Sequence, residues 1–220
     1  MNAPDRIAEA YRHCSDLVRA HDKDQFLAAL FAPAERRSYL FALYAFAVEI
    51  ERIKNLVREP LTGTIRLQWW LEAVSGLRAE ETAATPVMIA LQDAARATGN
   101  SLAPLAVAVE ARQDELRGEP PVKAAATVFA MAARLLGVSE DLDAPAAAAA
   151  QAVTFVQDDR QKAGEAYATF CAQLPGIPER ALPAFLPVAL VPLRIKRPHA
   201  PQWRRQIALL RAAWRGFPQI

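Results

Sequence analysis

The chain has 220 residues, 53% hydrophobic and 23% charged, with mean hydropathy +0.03, which is too apolar for intrinsic disorder and too interrupted for a bundle of membrane-spanning helices. One domain of this size buries roughly 70% of the surface its unfolded chain exposes. Cys14 and Cys171 lie far apart without CxxC spacing, so neither a disulfide framework nor a zinc site is expected, and a reducing compartment is the plain reading. Net charge is +2, but residues 180–220 hold eight Lys or Arg and no Asp or Glu, leaving 18 basic against 24 acidic side chains on the other 179 residues.

Composition points to helix. Alanine occurs 47 times, valine and isoleucine together 23 times, glycine 8 times and proline 16 times. Propensity therefore favours an all-α chain punctuated by proline rather than by glycine in hairpins. Residues 5–19 read as a first helix and 25–31 as a short second one. A long third helix is expected from Ala34 to Val57, with Leu40, Leu43, Tyr44, Ala47 and Val48 in helical spacing, stopped by Pro60 and Gly63.

Residues 64–77 then make an aromatic-rich helix containing Trp69 and Trp70. Segments 86–98, 104–116 and 122–136 follow, each with proline at or near its first turn, where a missing N–H is harmless. The alanine run 144–150 reads as the start of a helix continuing through Phe170. Seven prolines between Pro175 and Pro201 break the next stretch into short pieces. A final helix over 202–215 places Trp203, Ile207, Leu210 and Trp214 on one stripe, beside Arg204, Arg205, Arg211 and Arg215. That basic helix suits packing onto the domain, a membrane surface or a protein partner equally. No secretory signal is expected, because residues 1–20 are charged throughout. His13, His21 and His199 sit beside charged residues and read as surface histidines.

The most informative stretch is residues 26–57, FLAALFAPAERRSYLFALYAFAVEIERIKNLV. Through Phe26, Ala29, Pro33, Arg37, Ala42, Leu43, Tyr44, Ala45 and Phe46 it resembles the opening of the squalene and phytoene synthase family. Glu49, Ile50, Arg52, Ile53, Val57, Glu59, Pro60, Gly63 and Ile65 to Trp70 resemble a divergent branch of that family that includes a respiratory complex I assembly factor. The resemblance extends weakly over 109–116 and 128–137, and covers about 190 of the 220 residues if C-terminal matches are allowed.

The resemblance implies one isoprenoid-synthase-like all-α domain over residues 1–220, a helical bundle around a central apolar cavity, with a basic helical segment at about 180–220. In active relatives two acidic helix motifs face the cavity, and Mg²⁺ bridges them to an allylic diphosphate. By extension from Tyr44, one helix face here carries Tyr44, Val48, Glu51 and Asn55. The two metal positions of the first motif would be Glu51 and Asn55, and an arginine common in active members falls at Val48. The second motif would lie in TFVQDDRQK, residues 154–162, with Asp158 or Asp159 at its centre. Neither register restores three ligands.

Tyr44, Phe46, Val48, Trp69 and Trp70 are candidate cavity-lining residues, although adjacent Tyr44 and Phe46 point in different directions, so only one of them faces a cavity. Each site residue also has a plainer reading. Glu51 and Asn55 would serve as solvated residues near a helix end, Asp158, Asp159 and Arg160 as a surface charge cluster, and Trp69 and Trp70 as core anchors. Only six residues separate Leu116 from Lys123, and no GRxYLP-like run follows Arg160, which implies a smaller or side-open cavity.

Two functions follow from the resemblance. One is a non-catalytic scaffold or assembly factor of the complex I type, needing no cofactor. The other is a divergent Mg²⁺-dependent prenyltransferase joining farnesyl or geranylgeranyl diphosphates head to head. The ligands expected are a prenyl diphosphate or prenyl lipid, with a membrane surface or protein met by the basic C-terminal helix and no nucleic acid. The expected location is cytoplasmic or peripheral to the inner face of a membrane.

Overall fold

Seven consecutive buried residues, Leu40 to Phe46, form the axis around which the chain is arranged. They belong to α3 (Ala34–Leu56), a helix apolar on all sides over this stretch, and such a helix is stable only when surrounded by others. The structure, a computed structural model, describes residues 3–56, 59–82 and 85–218, and every regular element among them is helical. Val57, the expected end of the third helix, lies outside the described residues.

Helices α1 (Ala3–His21) and α6 (Pro86–Thr98) pack on α3 and on each other, while α4 (Pro60–Val74) and α8 (Val122–Leu135) cover other sides of it. Helix α7 (Leu105–Glu115) bridges α4 and α8, and α9 (Asp143–Phe155) lies between α8 and α10 (Arg160–Gln173). The alanine-rich composition has its structural use here. Ala146, Ala148, Ala149, Ala150 and Ala152 of α9 are buried, and their small side chains allow neighbouring helices to approach on two sides.

Shorter pieces, α2 (Lys23–Ala29), α5 (Ala79–Thr82), α11 (Leu182–Phe185) and α12 (Val191–Lys196), with 3₁₀ turns between α10 and α12, and the longer α13 (Gln202–Arg215) complete the set. Pro183, Pro187 and Pro192 each fall in the first turn of one of the short pieces, so the prolines break this region without leaving orphan donors. Among the described residues no helix is long and apolar enough to cross a membrane.

Specific polar ties fix the helices. The Tyr11 hydroxyl of α1 donates to Asp93 Oδ2 of α6 at 2.8 Å, and burial together with that carboxylate raises the phenol above its ordinary value. Arg36 Nη1 donates to the Leu135 carbonyl at 3.3 Å, satisfying an acceptor in the last turn of α8 that the helix cannot pair. Tyr167 donates to the Pro218 carbonyl at 2.6 Å. Gly99 ends α6 at φ +69°, a left-handed C-cap for which glycine carries no Cβ penalty.

The helices expected at 86–98 and 202–215 have those bounds. Two other expectations need correction. Pro60 and Gly63 do not form a stop between helices: Pro60 opens α4 and Gly63 lies inside it, because proline in a first turn needs no N–H. The helix expected from the alanine run through Phe170 is two helices. The Phe155 carbonyl accepts from the backbone N–H groups of both Asp158 (3.2 Å) and Asp159 (2.8 Å), and Asp159 then caps α10 by accepting from Lys162 N at 3.0 Å.

Candidate functional site

On the inner side of α3, Tyr44, Ala47, Glu51 and Lys54 follow one another at spacings of three, four and three, and all line a cavity of about 810 Å³. Its opposite wall comes from α8 and α9, through residues such as Val128, Phe129 and Val153. The start of α2, the end of α7 and the α9–α10 turn contribute polar groups. The cavity thus has an apolar wall and a charged rim. Behind the wall, Phe129 stacks on Phe185 with ring centroids 5.6 Å apart, and Phe185 in turn meets Phe170 at 5.6 Å.

Charges on the rim are largely paired within the protein. Glu51 Oε2 accepts from Arg112 Nη2 at 3.1 Å, and Arg112 Nη1 donates to Glu115 Oε2 at 2.7 Å. Lys54 Nζ donates to the other Glu115 oxygen at 3.3 Å. Two acids and two bases from α3 and α7 thus form a continuous, charge-balanced chain. Its inner members are well shielded, with the side chains of Arg112 and Glu115 only 13% and 16% exposed, whereas that of Glu51 is 62% exposed.

A second carboxylate cluster sits beside the cavity. Asp24 is buried, yet Arg194 Nη2 donates to its Oδ2 at 2.9 Å, Arg205 Nε lies 3.2 Å from the same oxygen, and Gln202 donates to Oδ1 at 3.4 Å. This joins α2 to α12 and α13, so two of the eight basic residues counted in the C-terminal segment are turned inward. Burying a carboxylate is costly unless it is paired in this way. Nearby, Asp22 caps α2 by accepting from the backbone N–H groups of Asp24 and Gln25, but burial outweighs those bonds and pushes its carboxyl up.

At the α9–α10 turn, Asp159 is held below the usual carboxylate range, first by the Lys162 backbone N–H and also by the Lys162 ammonium, which lies 3.3 Å away. Asp158 is exposed on the rim. The Tyr44 side chain is 2% exposed and its hydroxyl has no hydrogen-bond partner. Burial, with a contribution from the Asp22 charge, raises its phenol well above the ordinary value.

The structure brings together Tyr44, Glu51, Asp158 and Asp159 on one cavity. The remaining sequence-derived candidates do not line it. Asn55 is exposed at the end of α3, because the cavity stripe steps from Glu51 by three residues to Lys54, not by four to Asn55. Val48 is likewise rotated away and buried. Phe46 and Trp70 pack edge to face at 5.5 Å, and Trp69 meets Trp70 at 5.0 Å while its indole N–H donates to Glu81 at 2.8 Å. These aromatic residues anchor α4 on the side of α3 away from the cavity.

Sequence reasoning missed Lys54, Arg112, Glu115, Asp22, Asp24 and Arg194. Lys54 lies three residues after Glu51, and Arg112 three before Glu115, which is the helix spacing at which opposite charges meet. That signal was available within each helix, but the pairing of α3 with α7 was not.

A magnesium cluster of the kind the family resemblance implies needs several carboxylates free to share ions. The donor set does not fit one. Glu51 is occupied by Arg112, Asp159 by a helix cap, and among the described residues no three His, Cys, Asp or Glu side chains gather closely enough to hold a metal.

Helices surrounding a cavity whose rim is built from α3 and the α9–α10 turn define the isoprenoid-synthase class of fold. A solved dehydrosqualene synthase in complex with ligand superposes with TM-score 0.74 over 95% of this chain and 97% of its own, at 14% identity. The chain belongs to the squalene/phytoene synthase family, whose description matches residues 18–158, well over half of its length. Among curated proteins it is similar to NADH dehydrogenase (ubiquinone) complex I, assembly factor 6. The bovine protein is 40% identical over 85 residues, covering 39% of this chain and 26% of that protein, and the human one 37% over 84 residues, covering 38% and 25%. The mouse protein is 33% identical over 90 residues, covering 41% and 27%. The matched part spans about a quarter of the length of these relatives.

Proposed function

We propose that this chain is a non-catalytic member of its family, a scaffold that assists assembly of a respiratory NADH dehydrogenase, as the names of its curated relatives describe for them. The observation that carries this reading is Arg112, whose guanidinium lies against both Glu51 and Glu115, with Lys54 on the far side of Glu115. Glu51, which would attract magnesium, is already paired with a fixed cation of the protein. Val48 in place of an arginine supports the same reading. On this reading the partners are protein subunits of the enzyme being assembled, and no magnesium takes part.

The test combines two measurements in the source cell and with purified protein. In cells lacking the chain, assembled NADH dehydrogenase falls, and Glu51→Ala restores it as fully as the unaltered protein does. Purified protein releases no diphosphate from farnesyl or geranylgeranyl diphosphate, with or without Mg²⁺. Release requiring both Mg²⁺ and Glu51 would overturn the reading in favour of the prenyltransferase. Normal NADH dehydrogenase in cells lacking the chain would remove the assembly role.

A further inference from the structure

Helix α13 has two unlike faces. Leu209 and Ala212 turn inward and join Ala28 of α2 and Leu186, Ala189 and Leu190 in a small apolar cluster. Trp203, Ile207, Leu210 and Trp214, at spacings of four, three and four, lie about half a turn away at 3.6 residues per turn. Their exposures are 54%, 40%, 45% and 83%. Single exposed apolar residues are ordinary, but four on one stripe with two indoles form a patch that calls for an occupant.

The charge beside the stripe is one-sided. By helical geometry Arg204, Arg211 and Arg215 fall along one flank of it, and among the described residues none of the three forms an ion pair. The Arg204 guanidinium sits over the Trp203 ring at 4.9 Å. The inward-facing Arg194 and Arg205 are spent on Asp24, and exposed Arg180 is paired with Glu140. Exposed Lys196 and Arg197 add to the free positive charge at the end of α12, and no acidic residue occurs between 180 and 220. Helix α2, on which α13 packs, ends at exposed Leu30 and Phe31.

We propose that the outer face of α13 is a membrane-binding surface that lies flat on an anionic bilayer. Indole rings favour the boundary between headgroups and acyl chains, where one edge is apolar and the other wet. Arginines flanking such a stripe match lipid phosphate, and α13 carries no carboxylate of its own to oppose it. With 14 residues the helix is about 21 Å long, short of the roughly 30 Å of a bilayer core, so it lies in the interface rather than across it. Its inner face is held by Leu209, Ala212 and the Asp24 cluster, so docking positions the whole bundle at the membrane. The surface does not depend on whether the cavity is catalytic.

The experiment is co-flotation of the full chain with phosphatidylcholine vesicles and with vesicles in which a third of the lipid is phosphatidylglycerol, following tryptophan fluorescence in parallel. Binding and a blue shift are expected with the anionic vesicles alone, weakening as salt is raised. An Arg211→Glu/Arg215→Glu variant should bind about tenfold more weakly or worse, and Trp203→Ser/Trp214→Ser should bind little, with the helical circular dichroism of both unchanged. Failure of the unaltered protein to float, equal binding to neutral vesicles, or binding insensitive to both variants would overturn the proposal. A dimer in gel filtration abolished by the tryptophan variant, without vesicle binding, would assign the stripe to a second copy of the chain and overturn it equally.

Discussion

The two sides of α3 differ in how completely the protein satisfies them. On the side facing α4, Phe46 is fully buried and meets Trp70 edge to face, and Ile53, two turns further along nearly the same face, is buried too. On the cavity side, a few residues away, the Tyr44 hydroxyl is buried without a partner, and Asp22 across from it is forced toward its neutral form by burial. Buried polar groups are almost always paired. An unpaired phenol on the wall of a cavity therefore marks the side of the helix shaped by something other than stability. The packed side holds the bundle together, and the cavity side retains a hydroxyl, that of Tyr44, to which the fold gives no partner.

The largest effect that would test this contrast is Phe46→Ala. Truncating a fully buried phenylalanine that also makes an aromatic edge contact should cost about 3–5 kcal/mol, seen as a lower midpoint in urea unfolding with unchanged slope. A loss below about 1 kcal/mol would show that the α3–α4 contact is not an anchor. On the other side, Tyr44→Phe keeps the ring and removes the unpaired hydroxyl, so stability should rise, by about 1 kcal/mol. A comparable loss would mean that the hydroxyl is satisfied by a group inside the cavity and would erase the distinction between the two sides.

The extent to which the sequence discloses this arrangement follows the physics of each signal. Helices with strong periodicity and proline starts, such as α6 and α13, were legible to the residue, because propensity and capping act locally. The break at residues 156–159 was not, since an alanine-rich run says nothing of where a turn will be capped. Of the site, Tyr44, Glu51, Asp158 and Asp159 were legible through the family pattern, and they do share one cavity. Asn55 was misplaced because a stripe extended in steps of four drifts off a face that here steps by three to Lys54. The aromatic residues Phe46, Trp69 and Trp70 are equally suited to a cavity or a core, and only packing decides. Arg112 and Asp24 were illegible, because their roles come from helices far apart in sequence: Arg112 reaches across to Glu51, and Arg194 reaches back 170 residues to Asp24.

The finest test of the cavity side uses pH. Burial raises the Asp22 carboxyl above its ordinary value despite the backbone N–H groups that it accepts from at the start of α2. In the unfolded chain the same group titrates near pH 3.9. Just above that value the folded protein keeps a proton that the unfolded chain has lost, so through this window stability contributed by Asp22 falls as pH rises. Above the raised folded value the penalty is complete and constant. Asn caps a helix about as well as Asp and carries no charge, so Asp22→Asn should leave the protein folded and remove this one decline. Urea midpoints measured from about pH 4 upward should then fall less steeply in the variant than in the unaltered protein, with the two curves closest at the acid end. Parallel curves would mean that Asp22 is solvated through the cavity mouth, and the cavity side of α3 would then be no drier than the rim where Glu51 meets Arg112.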